Sequence, residues 1–172
     1  MDEIDVKILK CLRANARENA SVISDKVNMS VSAVIERIRK LEASGLISQH
    51  TTILNSAKAG KDVNAFLSVS LEHPKYIERF HAFVKENREI LECHYITGDF
   101  DFMLKVVTDN TQSLEHLLNS VKSIPGVQNT RTILILSTVK DEHSVDPDEL
   151  LSNAPASLRR NTPLCTKGMS VF

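Results

Sequence analysis

Two short stretches carry residues that could do chemistry. Arg37, Arg39 and Lys40 put three cations into four positions of "ERIRK", a pattern that can meet phosphate groups. A solvated helix face would look the same. The second stretch, "ITGDFDF" from Ile96 to Phe102, sets Gly98, Asp99 and Asp101 between two runs of strand-forming apolar residues. A carboxylate in such a loop can accept a hydrogen bond from an ammonium group. The plainer reading is a β-hairpin with a tight turn at Gly98-Asp99 and Asp101 as a solvated strand residue.

The chain that must position these residues has 172 amino acids, 42% hydrophobic and 25% charged, with a net charge of -1. That is enough for one ordinary domain or two small ones with a folded core. Residues 1 to 60 carry nine Lys/Arg against seven Asp/Glu, and the remainder twelve against fifteen. A protein uniformly coated in positive charge is excluded, and a local basic footprint is not. No apolar run reaches about 18 residues, and the acidic start Asp2, Glu3, Asp5 is unlike a signal peptide, so a cytoplasmic location is expected. Cys11, Cys93 and Cys165 are odd in number and far apart, in no metal-binding or C-x-x-C spacing, and are expected as reduced thiols. No metal site is expected.

The first sixty residues read as three helices. "DEIDVKILKCLRANA" spaces Ile4, Ile8, Leu9 and Leu12 at helical period, with acids in the first turn where the helix dipole favours them. A short helix follows from Asn19, with Ala20, Ile23 and Val27 inward and Asn28 suited to the left-handed conformation that ends a helix. Ser30 caps a third, "VSAVIERIRKLEASG", whose Val31, Val34, Ile38 and Leu41 are expected inside and which Gly45 closes. Helices joined this tightly make a helix-turn-helix, a motif that lays its last helix in a DNA major groove; a plain three-helix bundle has the same periodicity. Ser30 and Ser32, Ala33, Glu36, Arg37, Arg39 and Lys40 then lie at the start of that helix or outward and flanking, small, polar or basic as base edges and phosphates require. Arg37 could equally tie the helix to Glu42 or to the first helix.

After Gly45, "LISQHTTIL" reads as a strand and "NSAKAGKDV" as a linker, which puts a domain boundary near Ala57 to Lys61. Beyond it the order is strand, helix, strand, strand, helix, strand: the ferredoxin-like β-α-β-β-α-β arrangement, with its helices on one face of an antiparallel sheet. Apolar residues of both parities in "RTILILST" are too many for a strand with one wet side, and imply homodimerisation through the uncovered face. The fold class expected is α+β, with domains 1–56 and 57–141 and an extension 142–172. In that extension "DPDELLS" could form one helical turn behind Asp146 and Pro147, and the rest is expected to be disordered or exchanged between partners.

With these elements placed, the opening Asp2, Asp5, Ile8, Leu9, the run "SVSAVIERIRKLEASGLI", the "GDFD" loop and Ile124-Pro125-Gly126-Val127 followed by "TRT" resemble the Lrp/AsnC family of transcriptional regulators. The four motifs are collinear from about Asp2 to Lys140. The resemblance implies a winged helix-turn-helix for double-stranded DNA, and a ligand-responsive αβ sandwich assembling dimers into octamers or similar rings. It also implies a small effector, usually an amino acid, and no other cofactor. Carried over, the effector site falls on Gly98, Asp99 and Asp101, with Tyr95, Ile133 and Ile135 as neighbours. The chain departs from the family at Asn28, where glycine is common, at Val31, where proline is common, at Glu18, and in its longer tail. Two other functions fit the same architecture: a decarboxylase of the sirohaem type, which would need well-placed histidines, and a weakly specific DNA-compacting protein.

Overall fold

A computed structural model of the chain describes residues 1–152. By contacts it divides into two compact units: Met1–Thr52 joined by the residues from Glu142, and Ile53–Asp141.

The first unit contains α1 (Glu3–Ala14), α2 (Ala20–Val27) and α3 (Val31–Ala43). Asp2 and Asp5 form a reciprocal capping box at the start of α1, each carboxylate accepting the other's backbone N–H at 2.9 Å. Asn28 ends α2 with φ 53°, the left-handed conformation that asparagine tolerates. Asn19 is the N-cap of α2, as expected, without a side-chain hydrogen bond to the first turn. Ile8, Ile23, Val27, Val34 and Leu41 are the buried core, with Ile4, Leu9, Cys11 and Leu12 packed against it.

The expected strand "LISQHTTIL" does not form, and residues 48 to 55 are irregular. Its β-branched residues meet no neighbouring strand among the described residues, and strand propensity without a ladder partner specifies nothing. Glu142 to Ser152 also differ from expectation. They lie along α1, where Lys10 Nζ meets Asp148 Oδ2 at 2.6 Å and Arg13 pairs with Glu142 and, at 3.6 Å, with Asp146. Pro147 is buried. The anticipated turn is α6 (Glu149–Ser152), where Asp146 Oδ1 accepts from the N–H of Asp148 at 3.0 Å. Residues 153–172, including Cys165 and the stretch expected as disordered or exchanged, lie outside the described residues.

The second unit is built on β1 (Val63–Leu71), β2 (Ile90–Tyr95), β3 (Phe102–Thr108) and β4 (Val127–Leu134), with α4 (Ile77–Glu86) and α5 (Thr111–Lys122) between them. The strand order β2-β3-β1-β4, antiparallel throughout, is the ferredoxin-like arrangement. Ala65, Leu67, Val69, Phe102, Leu104 and Val106 point to one face and pack against Phe80 of α4 and Leu114, Leu117 and Val121 of α5. The turn into β4 needs a glycine. Gly126 has φ 91°, and a Cβ there would lie 2.2 Å from the Tyr76 ring. By parity Phe66, Ser68 and Ser70 of β1 and Ile133 of β4 face the other side, where Phe66 and Ile133 stay exposed.

Candidate nucleic-acid interface and effector loop

The position of α3 follows from its ends and its buried stripe. Ser30 Oγ accepts from the N–H of Ala33 at 3.3 Å and lies 3.2 Å from Ser32 Oγ, which fixes the first turn. Val34 and Leu41 are buried and Ile38 half-buried, so Ser32, Glu36, Arg39 and Lys40 face solvent, with Ala33 half-buried beside them. Lys40 sits 3.5 Å from Glu36, one turn back. Arg39 has no charged partner among the described residues.

Arg37 behaves differently from the other two cations. Its Nη1 lies 2.6 Å from Asp5 Oδ1 and 2.8 Å from Asp2 Oδ2, which ties α3 to the capping box of α1. The hydrogen bond it donates to Asp5 raises the guanidinium pKa, opposed by burial and aided by Asp2. The Asp2 carboxyl is pushed up by burial, but the N–H of Asp5 and the charge of Arg37 outweigh this and hold it below its usual 3.8. Of the two roles open to Arg37 from sequence, the structure supplies the structural one, a bridge to the first helix.

Sequence periodicity placed Val31 inward. It is exposed, because a residue at the first position of the helix precedes the turn that packs on the core. Ile35, one turn further on, is exposed as well and was absent from the sequence-based set. The helical wheel carries the signal for Ile35, since its neighbour Val34 holds the inward position.

In the second unit the "GDFD" segment is a six-residue loop, 96–101, closed by the N–H of Ile96 donating to the Asp101 carbonyl at 2.8 Å. It is wider than the two-residue turn expected at Gly98-Asp99. Gly98 has φ 120°, a conformation side chains rarely adopt, although open space surrounds it. Asp99 is exposed. Asp101 is fixed: its Oδ2 accepts from the N–H of Leu71 at 2.7 Å, and its own N–H donates to the Val69 carbonyl at 3.0 Å. The reason is local. The register of β1 against β4 shifts between Ser70 and Leu71, which frees a backbone donor that the carboxylate satisfies.

The remaining effector candidates divide. Tyr95 precedes the loop and packs edge-on against Phe102, with ring centroids 5.3 Å apart. Ile133 pairs with Phe66, and the N–H of Ile135 donates to the Asn64 carbonyl at 2.9 Å. These lie further along β1 at a rise of about 3.4 Å per residue, roughly 10 Å from the loop for Ile133 (Val69 to Phe66) and roughly 17 Å for Ile135 (Val69 to Asn64). One chain does not bring Ile133 and Ile135 to the loop. His94, on β2 just before the loop, is 3.1 Å from Glu92 Oε2, and Lys105 Nζ reaches Glu92 Oε1 at 3.0 Å. These two partners, His94 first, hold the Glu92 carboxyl below its usual 4.5. Among the described residues no cluster of His, Cys, Asp or Glu could hold a metal, and no helix is long and apolar enough to cross a membrane.

Residues 1–48 match the family of winged helix-turn-helix DNA-binding domains, and residues 64–145 match the Lrp/AsnC ligand binding domain. The HTH-type transcriptional regulator FL11 of Pyrococcus horikoshii is 37% identical over 141 residues, covering 82% of this chain and 93% of its own length. The leucine-responsive regulatory protein of Escherichia coli K12 is 32% identical over 146 residues, covering 83% and 89%. Among solved structures, a transcriptional regulator of Neisseria meningitidis in complex with L-Met superposes with a TM-score of 0.83 at 28% identity, over 87% of this chain and 99% of that one. A feast or famine regulatory protein of M. tuberculosis complexed with L-methionine gives 0.77 at 27% identity, over 85% and 99%. Matched from the capping box of α1 to the end of the sheet domain, the chain belongs to the Lrp/AsnC family of helix-turn-helix transcriptional regulators.

Proposed function

We propose that this regulator reads symmetric DNA half-sites with α3, and that a free amino acid bound at the 96–101 loop changes its assembly or its DNA affinity. The observation that carries the proposal is the division of labour within "ERIRK". Arg37 is held by Asp2 and Asp5, which sets the angle of α3, while Arg39 and Lys40 remain exposed beside Ser32, Ala33 and Glu36. Phosphate contacts fix register and exposed polar groups can read base edges.

The exposed Asp99 and the Gly98 backbone offer an acceptor for an α-ammonium and N–H donors for an α-carboxylate. The methionine named in two related structures supports an amino acid as the ligand class. Asp101 shapes the loop through Leu71. Because Ile133 and Ile135 are remote from the loop of their own chain, they contribute to an effector site only if another copy supplies them. Exposed Phe66 and Ile133 on the uncovered sheet face support a homodimer, assembling further into a closed ring, in the cytoplasm. The role is regulatory and non-enzymatic, with no cofactor besides the effector; His94 is engaged by Glu92.

A ligand changes an equilibrium only through differential affinity for its two states. Genome-wide footprinting with and without each of the twenty amino acids should show one amino acid altering occupancy at inverted-repeat sites. Occupancy indifferent to all twenty, together with no thermal stabilisation by any, would overturn the effector assignment. Absorbance changes on mixing with a tetrapyrrole would point to the decarboxylase instead.

A further inference from the structure

Val31 and Ile35 are large apolar side chains on the face of α3 that carries Arg39, one turn beyond Ile35. They are 41% and 37% exposed, while Val34 beside them is fully buried. The pair sits one turn apart, its Cβ atoms about 5 to 6 Å from each other. Val31 occupies the first helical position behind the Ser30 cap, in the half of a recognition helix that reaches base edges. Neither residue belongs to the core of the head.

The exposed cations of the same helix define what can approach it. Exposed Arg39 and Lys40 complement phosphates, and the Ser32 hydroxyl offers a hydrogen bond. The apolar feature that a duplex presents in its major groove is the C5-methyl group of thymine. Successive bases on one strand rise about 3.4 Å, so side chains about 6 Å apart can touch methyl groups one or two steps apart.

We infer that Val31 and Ile35 are a thymine-reading pair: their methyl groups pack on thymine C5-methyls one or two steps apart within each half-site. This rests on α3 being the helix that enters the groove, as proposed above. The pair would favour T at those positions over cytosine, which lacks the methyl, and would tolerate changes where only Arg39 and Lys40 make contact.

The test starts from in vitro selection of duplexes by the full chain, followed by replacing each selected thymine in turn with deoxyuridine. That removes one methyl group and leaves the hydrogen-bonding edge intact. One or two positions should lose about fourfold in affinity, the size expected for burying one methyl-sized group. In Ile35→Ala or Val31→Ala the same replacement should have no effect at the position that side chain reads, with the melting temperature of the free protein nearly unchanged. A selected duplex bound equally with thymine and deoxyuridine at every position would overturn the inference, as would deoxyuridine losses that persist in both alanine variants. Selection that enriches no sequence would remove the sequence-specific reading itself, a different failure with a different signature.

Discussion

The two units are held together by different physics. The sheet unit is a hydrogen-bonded ladder over a continuous apolar layer in which Leu67, Val69, Phe80, Leu104, Val106 and Val121 are fully buried. The head has a smaller core around Ile8, Ile23, Val34 and Leu41 and adds charge at its edges: Arg37 on Asp2 and Asp5, and Lys10 and Arg13 on the returning segment from Glu142 to Asp148. Apolar burial is insensitive to salt, whereas partly exposed ion pairs are screened by it. The head is therefore the unit whose stability should follow ionic conditions, and it is also the one that meets a polyanion.

The largest effects should come from the cores and should separate the units. Phe102→Ala removes a fully buried ring stacked at 4.8 Å on Phe80 and should cost about 3–5 kcal/mol in the sheet unit. Ile23→Ala should cost about 2–5 kcal/mol in the head. Hydrogen exchange should report each loss in its own unit, and a loss shared equally by both would mean that they unfold as one.

Next in size is Asp101. Asp101→Ala leaves the N–H of Leu71 without its acceptor and should destabilise the sheet unit by about 1–3 kcal/mol, while Asp101→Asn, which keeps a carbonyl oxygen, should recover most of it. If both variants were equally stable yet both lost the amino-acid response, the loop carboxylate would be a ligand contact first and a structural group second.

Arg37 and Arg39 make the same distinction within α3. Arg37→Ala removes charged hydrogen bonds to a half-buried Asp5 and should cost the head about 1–3 kcal/mol in thermal unfolding. Arg39→Ala should leave the head's stability nearly unchanged and, if Arg39 meets one phosphate, reduce the salt slope of DNA binding by about one unit. Equal salt slopes in the two variants would place Arg37 on the DNA as well.

How legible all this was in the sequence depends on the range of the interaction involved. Periodicity placed Ile8, Ile23, Val34 and Leu41 in the head, because helix faces are written in local spacing. The strand order followed from the alternation of elements. Val31 was misplaced because a wheel ignores where a helix begins. The strand expected at "LISQHTTIL" needed a partner that the described residues do not supply. The role of Asp101 depended on a bulge thirty residues away, and the pairing of Asp146 and Asp148 with α1 joins the two ends of the described chain. Neither that bulge nor the pairing of Lys10 and Arg13 with Asp148, Glu142 and Asp146 leaves a local pattern. Arg37 fell between these cases: both of its roles were visible, and the ion pairs with Asp2 and Asp5 supply the structural one.

The smallest effects test the charged edges of the head. The pairs of Lys10 with Asp148 and of Arg13 with Glu142 and Asp146 are half or more exposed on the acidic side, so each contributes about 0.2–1 kcal/mol at most. Lys10→Ala with Arg13→Ala should lower the head's melting point by a few degrees at low salt and by less at high salt, leaving the sheet unit unchanged. Asp2 adds a pH dependence of known sign. Its folded pKa lies below the unfolded 3.8, so its contribution is present above that value and is lost as pH falls through the folded one. Glu92 does the same for the sheet unit below its usual 4.5. Both units should weaken in acid, and Arg37→Ala should flatten the acid limb of the head alone, because Asp2 then loses the guanidinium that helps lower its pKa. An acid limb of the head unchanged in that variant would show that the backbone N–H groups of Asp5 and Ile4 hold Asp2 by themselves.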